Sequence, residues 1–313
     1  MPLLLPSALA AGSTVGVVCP ASAVTSKDVA PFVALCTSLG LRVRLGSNVN
    51  SRSGYLAASD QARADEFMRF IEDPEIDAIV CARGGYGVMR ILPSLDFAAI
   101  RDARKIVMGF SDITALLISI EQHARLVSFH GPVASSTFDA FTKESFVGSV
   151  FGSSTLREQT DHTEHAAMVQ AKDVRTLVPG VARGRLTGGN LSMVVSTLGT
   201  RYEIDTTNAI LFLEEISEEP YRIDRMLTQL WLAGKLQSCR AILMGYFRDC
   251  ETRPASRVTP GRALMQVLTD RIGTLGVPAV YGMPFGHVKS KLTIPVGVMA
   301  ELDASTGRLS ILS

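Results

Sequence analysis

The chain lacks an excess of either charge: 31 Lys and Arg residues almost cancel 30 Asp and Glu. Proteins that grip nucleic acid or an anionic membrane surface carry a basic surplus, so neither partner is implied. No apolar run reaches the length that a membrane span needs. The opening MPLLLPSALAA is apolar, yet no Lys or Arg precedes Lys27, and two prolines interrupt it. Without a positive flank it reads as a leader packed beside the first strand and not as a secretory signal. Cysteine is sparse and scattered, at Cys19, Cys36, Cys81, Cys239 and Cys250, with an odd count and no CxxC spacing. That argues against a disulfide framework and a structural zinc site. Cys19, Cys36 and Cys81 sit in apolar runs and read as small core residues; a reducing cytoplasm is the expected compartment. Internal repeats and low-complexity segments are also missing.

What is present is ample core material, with 47% hydrophobic and 19% charged residues in 313. The length suits two domains and the balance gives no sign of disorder. The first half alternates strand and helix signals. Thr14 to Cys19, Leu41 to Leu45, Ile76 to Cys81 and Lys105 to Met108 read as strands. Val29 to Leu39, Asp60 to Glu72 (opened by a capping Asp60) and Ile113 to His123 read as helices. Such alternation predicts a mostly parallel sheet covered by helices on both faces. Residues 135–180 are rich in Ser, Thr, His and charge, with weak periodicity. From Gly184 order returns: a turn at Gly188-Gly189, a helix over Leu191 to Leu198, and a buried strand at Ala209 to Leu213. An amphipathic helix follows at Ile223 to Ala233, then a strand at Ala241 to Phe247 and a helix at Gly261 to Ile272. The tail, Leu292 to Ser313, reads as two strands around a turn at Ser305-Thr306-Gly307. The expected division is an N-terminal α/β domain over 1–140, a connector over 141–180 and a C-terminal β/α domain over 181–313.

In open α/β sheets, sites lie beyond the carboxyl ends of the strands. Three such ends carry unusual residues. Ala82-Arg83-Gly84-Gly85-Tyr86-Gly87 follows a strand, and its backbone N–H groups suit an anion or oxyanion, though a purely structural tight turn uses the same glycines. Its spacing fits neither a dinucleotide fingerprint nor a phosphate loop. Gly109-Phe110-Ser111-Asp112-Ile113-Thr114 spans a strand-to-helix junction, the setting of a nucleophile elbow, but Ile113 stands where a second glycine is usual. Ser111 or Asp112 serving as an ordinary helix cap explains the segment equally well. Glu214-Glu215 closes a buried strand, where one carboxylate suits the orienting of a histidine; most of the acidic run 214–219 reads as solvated.

Five histidines are available. His162 and His165 fall in the polar connector and read as exposed, and His123 ends a helix, where a cation is favoured. His130 (in FHGP) and His287 (in GMPFGH) both lie in Gly/Pro-framed turns, and the residues alone do not choose between them as a catalytic base. No histidine pair has metal-ligand spacing, so no metal is expected.

Six segments, taken together, resemble the LD-carboxypeptidases: ARGGYGVMRILPSLD (82–96), GFSDITALL (109–117), HGP (130–132), GRLTGGNLSMVVSTLGT (184–200), LFLEEISEEPYRIDRMLTQLWLAGKL (211–236) and GMPFGHVKSKLTIPVG (282–297). They occur in that family's order and cover nearly the whole chain. The resemblance implies an N-terminal domain like the class I glutamine amidotransferases and a C-terminal swivelling β/α domain, with the site between them. It makes Ser111 the nucleophile, Glu214 the acid and His287 the base. The oxyanion is then expected on the N–H groups of Asp112 and Gly85, with no cofactor.

The resemblance further implies release of the terminal D-alanine from murein tetrapeptides during peptidoglycan recycling, by a homodimer in the cytoplasm. A related branch destroys a peptidyl-nucleotide antibiotic and confers self-immunity. A peptide-binding protein that kept the fold and lost the reaction is a third reading, against which an intact triad argues. The EEPYRIDR stretch looks more like the murein branch. Murein peptides are acidic; Arg83, Arg222, Arg225, Lys289 and Lys291 are the candidate cations, and none is assigned.

Overall fold

The computed structural model describes residues 3–152, 174–251 and 263–312. The chain divides into two units. The first comprises residues 1–157 and returns at 289–297; the second comprises 158–288 and 298–313.

The first unit is built on strands whose side chains are buried on both faces. Thr14–Val18 (β1), Ala78–Cys81 (β3) and Ile106–Gly109 (β4) are buried at every position, as parallel strands covered on two sides must be. With Arg42–Leu45 (β2), Ser128–His130 (β5) and Ile294–Val296 (β11) they form a six-stranded sheet in the order β11-β5-β4-β3-β1-β2. All pairs are parallel except β11–β5. Helices Ser26–Ser38 (α1), Asp60–Glu72 (α2), Val88–Ile91 (α3), Phe97–Ala103 (α4), Thr114–Ser119 (α5) and Ala140–Phe151 (α6) accompany it. The α/β reading of this half is therefore what is found.

The second unit carries a seven-stranded sheet in the order β13-β12-β7-β8-β9-β10-β6. Its middle is parallel: Val181–Asn190 (β7), Ala209–Ile216 (β8), Ala241–Arg248 (β9) and Ala279–Met283 (β10). Arg175–Val178 (β6), Met299–Asp303 (β12) and Arg308–Ile311 (β13) add antiparallel edges. Leu191–Ser196 (α7), Pro220–Leu232 (α8) and Leu264–Ile272 (α9) complete it.

Several expectations change. Residues 141–151, expected to open the connector, belong to helix α6 of the first unit, which is capped by Asp139 through the Thr142 N–H at 2.9 Å. His162 and His165 lie outside the described residues. Residues 289–297 leave the C-terminal unit, because Ile294–Val296 completes the first sheet against β5; a three-residue strand is too short to show periodicity. Gly188-Gly189 is not a turn but part of β7, with φ near +140° and +144°, and Gly188 lies against the Phe212 backbone, where a side chain has no room. Ser59, not Asp60, caps α2. The N-terminal leader pairs at Leu4 with Leu126, at the entry to β5. The helix expected to run to His123 is α5 followed by a π-turn over Ile120–Ala124.

Candidate active site

In the first unit, the ends of β1, β3 and β4 converge because the strands are parallel neighbours. β4 ends at Gly109, Phe110 is extended, and Ser111 then turns with φ of +64° into the helical turn Ser111–Ile113. A left-handed serine is strained, and strain of this kind concentrates at functional turns. That helical turn has no side-chain cap, which removes the ordinary-cap reading of Ser111 and Asp112. The Asp112 carboxylate instead accepts the Val88 N–H at 2.9 Å, joining the elbow to the start of α3. Asp112 is buried, and desolvation raises its pKa above the usual carboxylate value, against the lowering effects of the Val88 N–H and the Arg63 charge.

The glycine-rich turn after β3 lies directly against this elbow. A Cβ on Gly84 would stand 2.8 Å from Ser111 Cβ and 3.1 Å from Ser111 Oγ. Gly85 has φ of +108° and crowds Ser22, which follows β1. Ser22 donates its N–H to the Gly84 carbonyl and its Oγ accepts the Tyr86 N–H, both at 3.3 Å. Arg63 of α2, fully buried, donates to the carbonyls of Pro20 and Gly87 and pairs with Asp60 at 2.5 Å. The loops after β1 and β3 are thus tied to one guanidinium.

In the second unit, Glu214 near the end of β8 and His287 after β10 are brought together. Glu214 Oε2 lies 2.7 Å from His287 Nδ1 and accepts the His287 N–H at 3.2 Å. Glu214 is fully buried, while His287 keeps 16% of its side chain exposed. Gly286, with φ of +85°, lets the chain pass the Glu214 carboxylate where a Cβ would collide. Glu215 points to the opposite face. It accepts from Asn190 Nδ2 at 3.0 Å, from the Ser192 N–H at 2.8 Å and Ser192 Oγ at 2.6 Å, and from the Ile216 N–H at 2.9 Å. Burial pushes its pKa up in spite of those donors.

His130, the other histidine left open by the residues, is buried at the end of β5 with its ring against Phe110. His123 lies in the π-turn against Phe97. Of the five candidate cations, Arg83, Arg222, Arg225 and Lys289 are exposed and Lys291 is buried. All five cysteines are free and buried; burial pushes the thiols of Cys19, Cys36, Cys239 and Cys250 up to about 12. Among the described residues no group of three or more His, Cys, Asp or Glu is arranged to hold a metal, and no helix is long and apolar enough to cross a membrane. Ser22 and Arg63 join the glycine turn without a motif to mark them. Ser22 stands just past a strand end and was open to the same rule as Gly84; Arg63 on an amphipathic helix gives no local signal.

Two family models match the chain in order: the LD-carboxypeptidase N-terminal domain over residues 15–131 and the LD-carboxypeptidase C-terminal domain over 183–302. A Bacillus subtilis relative described as a probable murein peptide carboxypeptidase is 39% identical, covering 96% of this chain and 92% of its own. A solved muramoyltetrapeptide carboxypeptidase from Oxalobacter formigenes superposes with a TM-score of 0.79 at 29% identity, covering 96% of this chain and 98% of its own. The microcin C7 self-immunity protein MccF, at 24% identity, shares the fold with a TM-score of 0.86 over 99% of this chain and 98% of its own. With both domain models in order and near full-length relatives, this chain belongs to the LD-carboxypeptidase family.

Proposed function

We propose that the protein is a serine LD-carboxypeptidase that releases the terminal D-alanine of murein tetrapeptides, acting in the cytoplasm as a homodimer. The observation that carries the serine mechanism is the left-handed Ser111 on its strand-to-helix turn, pressed against the glycine turn at Gly84. The names of the Bacillus and Oxalobacter relatives support the murein substrate.

In this mechanism Ser111 Oγ attacks the carbonyl carbon of the L,D peptide bond as His287 Nε2 takes the hydroxyl proton. Glu214 fixes the ring through Nδ1 and stabilises the imidazolium. The developing oxyanion is held by the N–H groups of Asp112 and Gly85. The C–N bond breaks as His287 returns the proton to the departing D-alanine amine, leaving an ester on Ser111. Water, losing a proton to His287, then attacks the ester, releases the shortened peptide and restores the serine.

The test is incubation with murein tripeptide, tetrapeptide and pentapeptide, following free D-alanine. Release from the tetrapeptide, lost in a folded Ser111→Ala variant and unchanged by EDTA, is expected. Activity retained by Ser111→Ala, or abolished by EDTA and restored by zinc, would exclude the serine mechanism. Cleavage of a peptidyl-nucleotide in place of the tetrapeptide would move the protein to the self-immunity branch.

A further inference from the structure

A carboxypeptidase acts on a free chain end, so the reaction proposed above calls for a cation that reads the terminal carboxylate. Lys291 has a position suited to it. β4, which carries the nucleophile turn, has β3 on one side and β5 on the other. The glycine turn after β3 therefore covers one flank of the turn. The other flank is reached through β11, which runs antiparallel to β5 with Ile294 opposite His130. The residues before Ile294 consequently extend past the carboxyl ends of β4 and β5, where sites form in such sheets. Thr293 lies against Gly131 there, close enough to exclude a Cβ.

This segment is held firmly. The Lys291 N–H donates to Thr142 Oγ1 at 3.0 Å, the Thr293 N–H donates to Ser145 Oγ at 2.8 Å, and Ser290 Oγ bonds Asp139. Lys291 is 6% exposed, and its ammonium sits 5.1 Å from the centroid of Phe110, the residue before Ser111. A buried ammonium over an aromatic face is little hydrated and strongly oriented, which strengthens a charge-assisted hydrogen bond to an incoming anion.

We propose that Lys291 is the specificity residue that binds the free terminal carboxylate of the substrate. This assignment rests on the LD-carboxypeptidase reading. The experiment compares kcat/KM for a murein tetrapeptide and its C-terminal amide in the wild-type enzyme, Lys291→Met and Lys291→Arg, with thermal melts of each. Met keeps the packing over Phe110 without the charge; Lys291→Gln replaces it if the Met variant melts early. For the free acid, the charge-neutral variant is expected to fall about 10- to 100-fold, mainly through KM, as loss of a charge-assisted bond requires. The amide should change little, so that discrimination between the two substrates disappears, and Arg should restore part of it. An equal fall on both substrates would reduce Lys291 to a structural part, and no fall on either would remove it from recognition. If the wild-type enzyme releases nothing from either, the carboxypeptidase reading fails and this assignment fails with it.

Discussion

One oxygen of Glu214, Oε2, takes both the ring Nδ1 of His287 and that residue's own backbone N–H, at 2.7 and 3.2 Å. The carboxylate therefore fixes the imidazole and the chain that bears it. A carboxylate there selects the tautomer with the proton on Nδ1, so that Nε2 carries the lone pair that the proposed base needs. Glu214→Gln presents an amide that can turn its NH2 to the ring and favour the wrong tautomer. It also removes the charge that stabilises an imidazolium. In an Asp-containing triad the corresponding change costs about 10⁴ in kcat, and a loss of that order is expected here. Steady-state D-alanine release from a protein with an unaltered melting curve checks it; a loss below tenfold would remove Glu214 from the catalytic machinery.

Glu215 gives the opposite outcome, because adjacent strand residues face opposite ways. Its two oxygens receive four donors from Asn190, Ser192 and Ile216. A Gln at this position must aim an NH2 at donors. The buried N–H left unsatisfied costs about 1–3 kcal/mol. Glu215→Gln should lower the melting temperature by several degrees while turnover of the folded fraction stays within about threefold, the span of a modest indirect effect. Equal crippling of turnover by both substitutions would show that the two carboxylates act as one unit.

The candidate residues at strand ends were legible in the sequence, because motif and backbone coincide there. Ser111 and the Glu214-Glu215 pair stand out as candidates because each follows an apolar run, but the roles of Ser111 and Glu214 are what the family resemblance implies. The choice of His287 over His130 was not legible, since both occupy similar Gly/Pro turns; it came from the family resemblance. Gly188 was misread because a glycine pair usually signals a turn, whereas here Phe212's backbone passes so close to Gly188 that only glycine fits inside β7. The return of 289–297 to the first sheet depends on a pairing with residues more than 150 positions earlier, Ile294 with His130. Local pattern carries no information about such a pairing. Arg63 was invisible for a related reason: its partners, Pro20 and Gly87, are brought to it by the fold.

Asp112 supplies a pH signature. Burial holds its native pKa above the ordinary value, while an Asp in the unfolded chain titrates at about 3.9. Below the unfolded value both states are protonated and stability is unaffected. As pH rises through the window up to the raised native value, the unfolded state ionises first, so stability is lost; above it the loss is constant. Asp112→Asn cannot ionise and keeps an oxygen for the Val88 N–H. Denaturant unfolding at about pH 4 and about pH 7 should show the variant gaining on the wild-type protein as pH rises, the direction set by linkage. A gain in the other direction would mean that Val88 and Arg63 outweigh burial.

Gly84 offers the sharpest separation of catalysis from stability. Its φ is not in the left-handed region, so alanine is conformationally acceptable there. The obstacle is steric: the new Cβ would lie 2.8 Å from Ser111 Cβ, 3.1 Å from Ser111 Oγ and 3.2 Å from the Phe110 carbonyl oxygen. Those neighbours must yield by a few tenths of an ångström, and the one free to do so is the Ser111 side chain with its elbow. Reactions that depend on alignment lose about 100-fold for displacements near 1 Å. Gly84→Ala should therefore reduce kcat at least tenfold while leaving KM within about threefold, because in the proposed mechanism the displaced group reacts with the substrate and does not bind it. Thermal stability should fall by no more than the few degrees expected of a mild overpacking of about 1–3 kcal/mol. Kinetics and melting measured on the same preparation decide the matter. A variant with unchanged kcat would show that the glycine turn does not press on the nucleophile in solution, and a variant that melts far earlier would show that Gly84 is a folding requirement before it is a catalytic one.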